Sequence, residues 1–180
     1  MRIPATAKLC AIAAWALFCP SASAQAAPHD EERVKAAVVL QLARFIEWPP
    51  ETSASPTFDV CLAAKDSWIS ILTQAARGQT VGGKPVRVSR LTSPEGAAAC
   101  RIVFVGPGLP AELRAAIGLA PVLTISDEHG FASRGGMVEL AIQDGRVVFE
   151  LATVNAIPKG IRFSSKLIRL ARGAQREVRQ

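Results

Sequence analysis

The segment Gly78-Gln79-Thr80-Val81-Gly82-Gly83-Lys84 has the spacing of a phosphate-cradling Walker A loop. Such a loop needs Ser or Thr after its lysine to hold magnesium, and a helix whose N-terminus faces the phosphate. Here Pro85 follows, and then an alternating strand pattern. The segment is expected to be a turn entering a strand. The chain has two histidines, His29 and His129. His129 ends the run Ser126-Asp127-Glu128-His129, which contains the residue types of a hydrolytic relay. A relay needs an exposed nucleophile, and no Gly-x-Ser-x-Gly elbow is present. A metal site needs further ligands at set spacings, and no second histidine or cysteine lies near. No catalytic residue, metal or cofactor is expected, and the chain does not read as an enzyme.

Cysteine is the remaining reactive residue type. Cys10 and Cys19 lie in an N-terminal stretch with the three parts of an export signal. Arg2 and Lys8 make the start positive, and Leu9 to Cys19 is apolar and uncharged. Ser21-Ala22-Ser23-Ala24 then offers small residues to a signal peptidase. The apolar run is too short to span a bilayer. Cleavage is expected after Ala24, with Ala26 as the alternative. Phe18 before Cys19 disfavours lipid attachment there, because that position should be small. The rest of the chain, residues 25–180, then keeps Cys61 and Cys100. An oxidising compartment favours a bridge between them, and the alternative is two buried thiols beside apolar strands.

Export also bears on charge. The removed part carries two basic and no acidic residues, so the net charge falls from +6 to about +4. Much of the excess sits at the end, in Arg162, Lys166, Arg169, Arg172, Arg176 and Arg179. Without interleaved aromatics this reads as a solvated face, not a nucleic-acid surface.

The elements that must position these residues follow from periodicity. Apolar positions Val34, Val38, Leu42, Phe45 and Ile46 predict a helix over Glu31–Trp48, stopped by Pro49-Pro50. Phe58–Ala63 is a short apolar strand, and Trp68–Ala76 a helix capped by Asp66 or Ser67. Val86–Leu91 alternates as a strand after the Gly82-Gly83 turn, and Ser93–Ala99 is a loop. Arg101–Val105 and Val122–Ser126 are continuous β-rich runs, typical of strands buried on both faces. Leu109–Leu119 between them is helical. Met137–Ile142 and Arg146–Leu151 flank Asp144-Gly145, a strong hairpin signal. Val154–Lys159 and Ser164–Gly173 are short helical pieces. The expected fold is a single α/β domain: a mainly parallel sheet flanked by helices, with a C-terminal β-hairpin. Ligands of such sheets gather at the carboxyl ends of the strands. Those ends deliver Gly106-Pro107-Gly108 and the loop with Ser126, Asp127 and His129, with Arg134 adding a positive charge nearby. These are the expected ligand or partner loops, with ordinary turn chemistry as the alternative.

Several blocks together resemble a known family. They are Arg44-Phe45-Ile46-Glu47-Trp48-Pro49, Gly78-x-x-Val81-x-Gly83-x-Pro85-Val86 and Cys100-Arg101-Ile102-Val103-Phe104-Val105. Gly130-Phe131-Ala132, Arg134-Gly135-Gly136-Met137 and Asp144-Gly145-Arg146-Val147-x-Phe149-Glu150 continue the pattern. In this order they resemble the YfiR/HmsC-like periplasmic repressors. The resemblance implies a regulator that binds the periplasmic domain of an inner-membrane diguanylate cyclase. Binding holds the cyclase inactive and lowers cyclic di-GMP and biofilm formation. It also implies redox sensitivity through disulfides, with Cys61 and Cys100 as the bridge that keeps the repressor folded, and a capacity to form a homodimer. This chain departs from members with a second bridge, because no cysteine follows Cys100. A small-ligand-binding module serving another sensor or transporter is the alternative function.

Overall fold

The computed structural model describes residues 28–50 and 55–171. The expected export segment, the side chain of His29, and Arg172, Arg176 and Arg179 lie outside the described residues. The elements run α1 (Pro28–Ala43), β1 (Ile46–Glu47), β2 (Phe58–Ala63), α2 (Asp66–Ala76), β3 (Thr80–Val81) and β4 (Lys84–Arg90). They continue β5 (Ile102–Val105), α3 (Ala111–Leu119), β6 (Leu123–Ser126), β7 (Val138–Gln143) and β8 (Arg146–Leu151). Finally come α4 (Thr153–Ala156), β9 (Arg162–Phe163) and α5 (Ser165–Leu170), with single 3-10 turns between some of them.

The apolar strands β2, β5 and β6 are buried along their whole length. Alternation of side chains divides them between two layers. Phe58, Val60, Leu62, Ile102, Phe104, Leu123 and Ile125 enter the larger core with α1 and α2. The Trp68 indole stacks on Phe104 there, with ring centroids 4.1 Å apart. Cys61, Ala63, Val103 and Val105 face the other way, against Leu113 and Ile117 of α3. The sheet order is β3-β4-β2-β5-β6-β7-β8. Its five inner strands are parallel, and antiparallel hairpins close both edges. From β2 the chain steps outward to β4, then returns past β2 to lay down β5. That reversal puts α2 and α3 on opposite faces, as in doubly wound sheets. The expected α/β fold and C-terminal hairpin are therefore present. Asp144 (φ 51°) and Gly145 (φ 71°) both adopt the left-handed turn that a two-residue hairpin needs.

Three local expectations need correction. The first helix ends at Ala43, not Trp48. Ile46 and Glu47 instead pair antiparallel with Phe163 and Arg162 from the far end of the chain. Helical spacing continued by chance into a segment that a distant strand captures. Neither Asp66 nor Ser67 caps α2: Lys65 holds the cap position without a side-chain hydrogen bond, and Asp66, in the first turn, pairs with Arg90. The segment before β5 is not an open loop but a 3-10 turn over Pro94–Ala99.

That turn delivers Cys100 to Cys61. The two are disulfide-bonded, with Cα atoms 5.9 Å apart and 39 positions of separation. The bridge lies in the thinner core, where α3 is the main cover. A loop of this length corresponds to about 4 kcal/mol of unfolded-state entropy on the chain-entropy scale. Cys61→Ser should therefore lower unfolding free energy by about 2–4 kcal/mol in urea titration. Equal midpoints for the oxidised wild type and the variant would refute a stabilising bridge.

Candidate functional site

At the strand reversal, where doubly wound sheets usually bind ligands, the ends of β2 and β5 touch. The Gly106 N–H donates to the Ala63 carbonyl over 2.9 Å. A Cβ on Gly106 would lie 2.9 Å from the Ala64 backbone, so glycine is what lets the two strand ends touch. The Walker-like segment is a hairpin as well. Gly82 and Gly83 form its turn with positive φ, and the Lys84 ammonium donates to the Ser55 carbonyl at 2.6 Å. No helix N-terminus follows it.

The loop after β6 is built from the inside. Glu139 of β7 is buried, and its carboxylate accepts the N–H groups of Gly130 (3.0 Å) and Ala132 (3.2 Å). The Asn155 amide donates to the Ala132 and Gly136 carbonyls, at 3.2 and 2.7 Å. The Phe131 ring lies against Gly136, where a Cβ would sit 2.2 Å from its edge. These contacts give the Gly-Phe-Ala and Arg-Gly-Gly-Met blocks a structural reason: they fold one loop onto one buried carboxylate and one aromatic ring.

Within that loop the expected site residues go separate ways. Ser126 is fully buried, and its hydroxyl accepts the Glu128 N–H at 3.0 Å. Asp127 pairs with Lys35 of α1 at 3.0 Å, both largely shielded, with 21% and 13% of their side chains exposed. His129 is fully exposed and approaches Glu139 at 3.5 Å. No proton path connects the three, so they form no relay. Arg134 donates to the Glu128 carboxylate (2.6 Å) and to the His129 carbonyl (2.8 Å). A hollow of about 300 Å³ does exist here, lined by Val105, Leu109, Ile117, Phe131, Arg114 and Arg134. Its Arg134 is committed to the loop itself.

The larger cavity lies at the opposite, amino-terminal end of the strands. It measures about 780 Å³ and is walled by Pro49, Leu119, Pro121 and Pro158, with Asp59, Arg87, Arg101 and Lys159 at its polar side. Asp59 is the second residue of β2 and is 5% exposed. Its carboxylate accepts from Ser55 (3.1 Å), Thr57 (3.1 Å) and the Arg87 guanidinium (2.5 Å). Arg101 is 8% exposed and is locked into the ladder through its backbone, donating to Asp59 and accepting from Leu123. Burial pushes its guanidinium down from the ordinary value, and the Asp59 charge opposes that. The sequence reading passed over this cluster. The available signal was a charged residue at the start of each of two otherwise apolar strands.

Two basic side chains on and just past α1 are engaged in the fold. Lys35 reaches Asp127, and the Arg44 guanidinium donates to the Gln79 amide oxygen at 2.9 Å. Its apolar stripe, Ala36, Val39, Leu40 and Ala43, is core. Large apolar side chains are exposed elsewhere, at Leu119, Val154 and Ile157. The Lys159 ammonium on the Leu119 carbonyl, 2.8 Å, ties the segments carrying them together. Among the described residues no helix is long and apolar enough to cross a membrane, and no group of three acidic, histidine or cysteine side chains is placed to hold a metal.

The family model described as YfiR/HmsC-like matches residues 32–172, nearly all of the described chain. The chain belongs to the YfiR/HmsC-like family. The match runs from α1 through α5 and includes both bridged cysteines and the stapled loop. No curated protein matches the chain. Within the blocks that carry the resemblance, Gly136 makes room for the Phe131 ring.

The Glu139 staple can be tested directly. In Glu139→Gln the amide nitrogen must face a backbone N–H, leaving a buried donor unmet. The change should cost about 1–3 kcal/mol in urea unfolding. It should also speed amide hydrogen exchange at Gly130 and Ala132. Unchanged exchange at both amides would show that the carboxylate does not hold the loop.

Proposed function

We propose that the protein is a periplasmic repressor that binds the periplasmic domain of an inner-membrane diguanylate cyclase and holds it inactive. The observation that carries this reading is the YfiR/HmsC-like match over residues 32–172. The site geometry supports it. Ser126 and Asp127 are engaged within the fold, Ser126 on the Glu128 N–H and Asp127 on Lys35, which suits a binding protein. The exposed apolar side chains of Leu119, Val154 and Ile157 are of the kind that protein contacts cover. A repressor needs no chemistry. It needs a surface that fits the inactive state of its partner better than the active one, and the difference in affinity sets how far the partner shifts.

Deleting the gene should raise cyclic di-GMP only in cells that keep the cognate cyclase. An unchanged level with and without the cyclase would overturn the proposal. Residues 1–24 are proposed to export the chain. The protein recovered from the periplasmic fraction should then begin at Gln25 by intact-mass analysis. A full-length chain confined to the cytoplasm would contradict that.

A further inference from the structure

The two edges of the seven-stranded sheet are built differently. At one edge the two-residue β3 covers β4 only at Lys84 and Pro85, and beyond that cover β4 carries Arg87 and Arg90. Proline and repeated charge keep an edge strand from pairing with another chain. The other edge is β8, and it lacks that guard. Its middle, Val147-Val148-Phe149, is β-branched and aromatic, with Arg146 on one side and Glu150 on the other.

The hairpin turn decides which backbone groups of β8 face outward. A two-residue turn closes on a pair that exchanges hydrogen bonds, and such pairs alternate along the ladder. Gln143 and Arg146 are that pair, so Val148 and Glu150 also bond towards β7. The Ala152 N–H, which donates to the Met137 carbonyl over 2.9 Å, continues the alternation. Val147 and Phe149 therefore turn their N–H and C=O groups away from β7. Among the described residues no hydrogen bond meets those groups. The side chains of Val147 and Phe149 pack on the larger core, which leaves Arg146, Val148 and Glu150 on the other face of the sheet. Arg146 and Glu150 are exposed, and among the described residues neither is in an ion pair. Glu150 lies directly opposite Glu139 of β7, a carboxylate facing a carboxylate.

We propose that β8 pairs antiparallel with β8 of a second copy of this chain, about a two-fold axis at Val148, and so joins the two sheets into one. In this register Val147 of each copy faces Phe149 of the other, and their outward N–H and C=O groups exchange hydrogen bonds. Val148 faces its own copy, and Arg146 of each chain stands opposite Glu150 of the other. Shifting the axis to Val147 or Phe149 separates these charges, and shifting it to Arg146 or Glu150 sets like charges face to face. Cross-strand pairs of opposite charge stabilise a sheet, and like pairs oppose it. The strand is thus complementary to itself in one register. This inference concerns how two copies meet and does not rest on the repressor reading.

The test uses the purified mature protein in sedimentation velocity over a concentration series. The wild type should show a monomer–dimer equilibrium. Arg146→Glu and Glu150→Arg should each weaken the dimer about tenfold, because each sets two like pairs across the axis. The double variant should restore it. Val148→Cys should give a disulfide-linked dimer on a non-reducing gel, since side chains come closest in a pair that exchanges no hydrogen bonds. Arg146→Cys should not, because its two copies stand well apart along the strands. A wild type that stays monomeric at every concentration would overturn the proposal, including one whose β8 is covered only when another protein is added. So would single charge variants that dimerise as well as the wild type, a double variant as weak as either single one, or equal cross-linking at the two cysteine positions.

Discussion

Burial of β2 on both faces is the constraint from which the rest of this structure follows. Phe58, Val60 and Leu62 must be covered on one side and Cys61 and Ala63 on the other. A parallel strand cannot meet that need through hairpins, so the chain supplies crossover segments to each face. The first goes outward through α2 to β4, and the second returns to β5. The reversal leaves β2 between its two successors and distributes the helices. The two layers are unequal. One has α1, α2 and the C-terminal pieces. The other rests on α3, a 3-10 turn and the Phe131 loop, and it is this thinner side that the Cys61–Cys100 bridge reinforces.

The same architecture gives the two ends of the sheet different characters. At the carboxyl ends several polar groups are turned inward and paired within the fold. Glu139 takes two backbone N–H groups, Asn155 gives two hydrogen bonds, and Asp127 is matched by Lys35 from the first helix. At the amino-terminal ends the charges are unequal in number. Asp59 is saturated, and Arg101 is carried inside by a strand whose neighbours are all apolar. Contact between Gly106 and Ala64 brings the ends of β5 and β2 together at the strand reversal.

Much of the fold was legible in the sequence because its signals are local. A continuous β-branched run such as Ile102–Val105 can sit only between two covered faces, and Asp144-Gly145 can hardly be anything but a tight turn. The boundaries of β2 and β8 were read directly from composition. The end of α1 was not, since the segment from Ile46 to Glu47 is decided by Arg162 and Phe163 from the other end of the chain. The Cys61–Cys100 pairing was open from residue types alone, and the order of the strands settles it. Only once β5 lies beside β2 does Cys100 come within bonding reach of Cys61.

Sequence by itself determined the class of fold, the hairpin, the absence of a recognisable nucleophile elbow, and the family blocks that lead to a regulatory reading. Each of these is written in neighbouring residues, where steric preference and periodicity act. The tertiary structure alone decided which charged groups are spent and which are left over. Asp127 and Asp59 look alike in the chain, each at an end of an apolar strand. One meets a lysine 92 positions away, and the other collects three local and cross-strand donors. Electrostatic pairing acts across space between elements, so spacing along the chain carries no record of it.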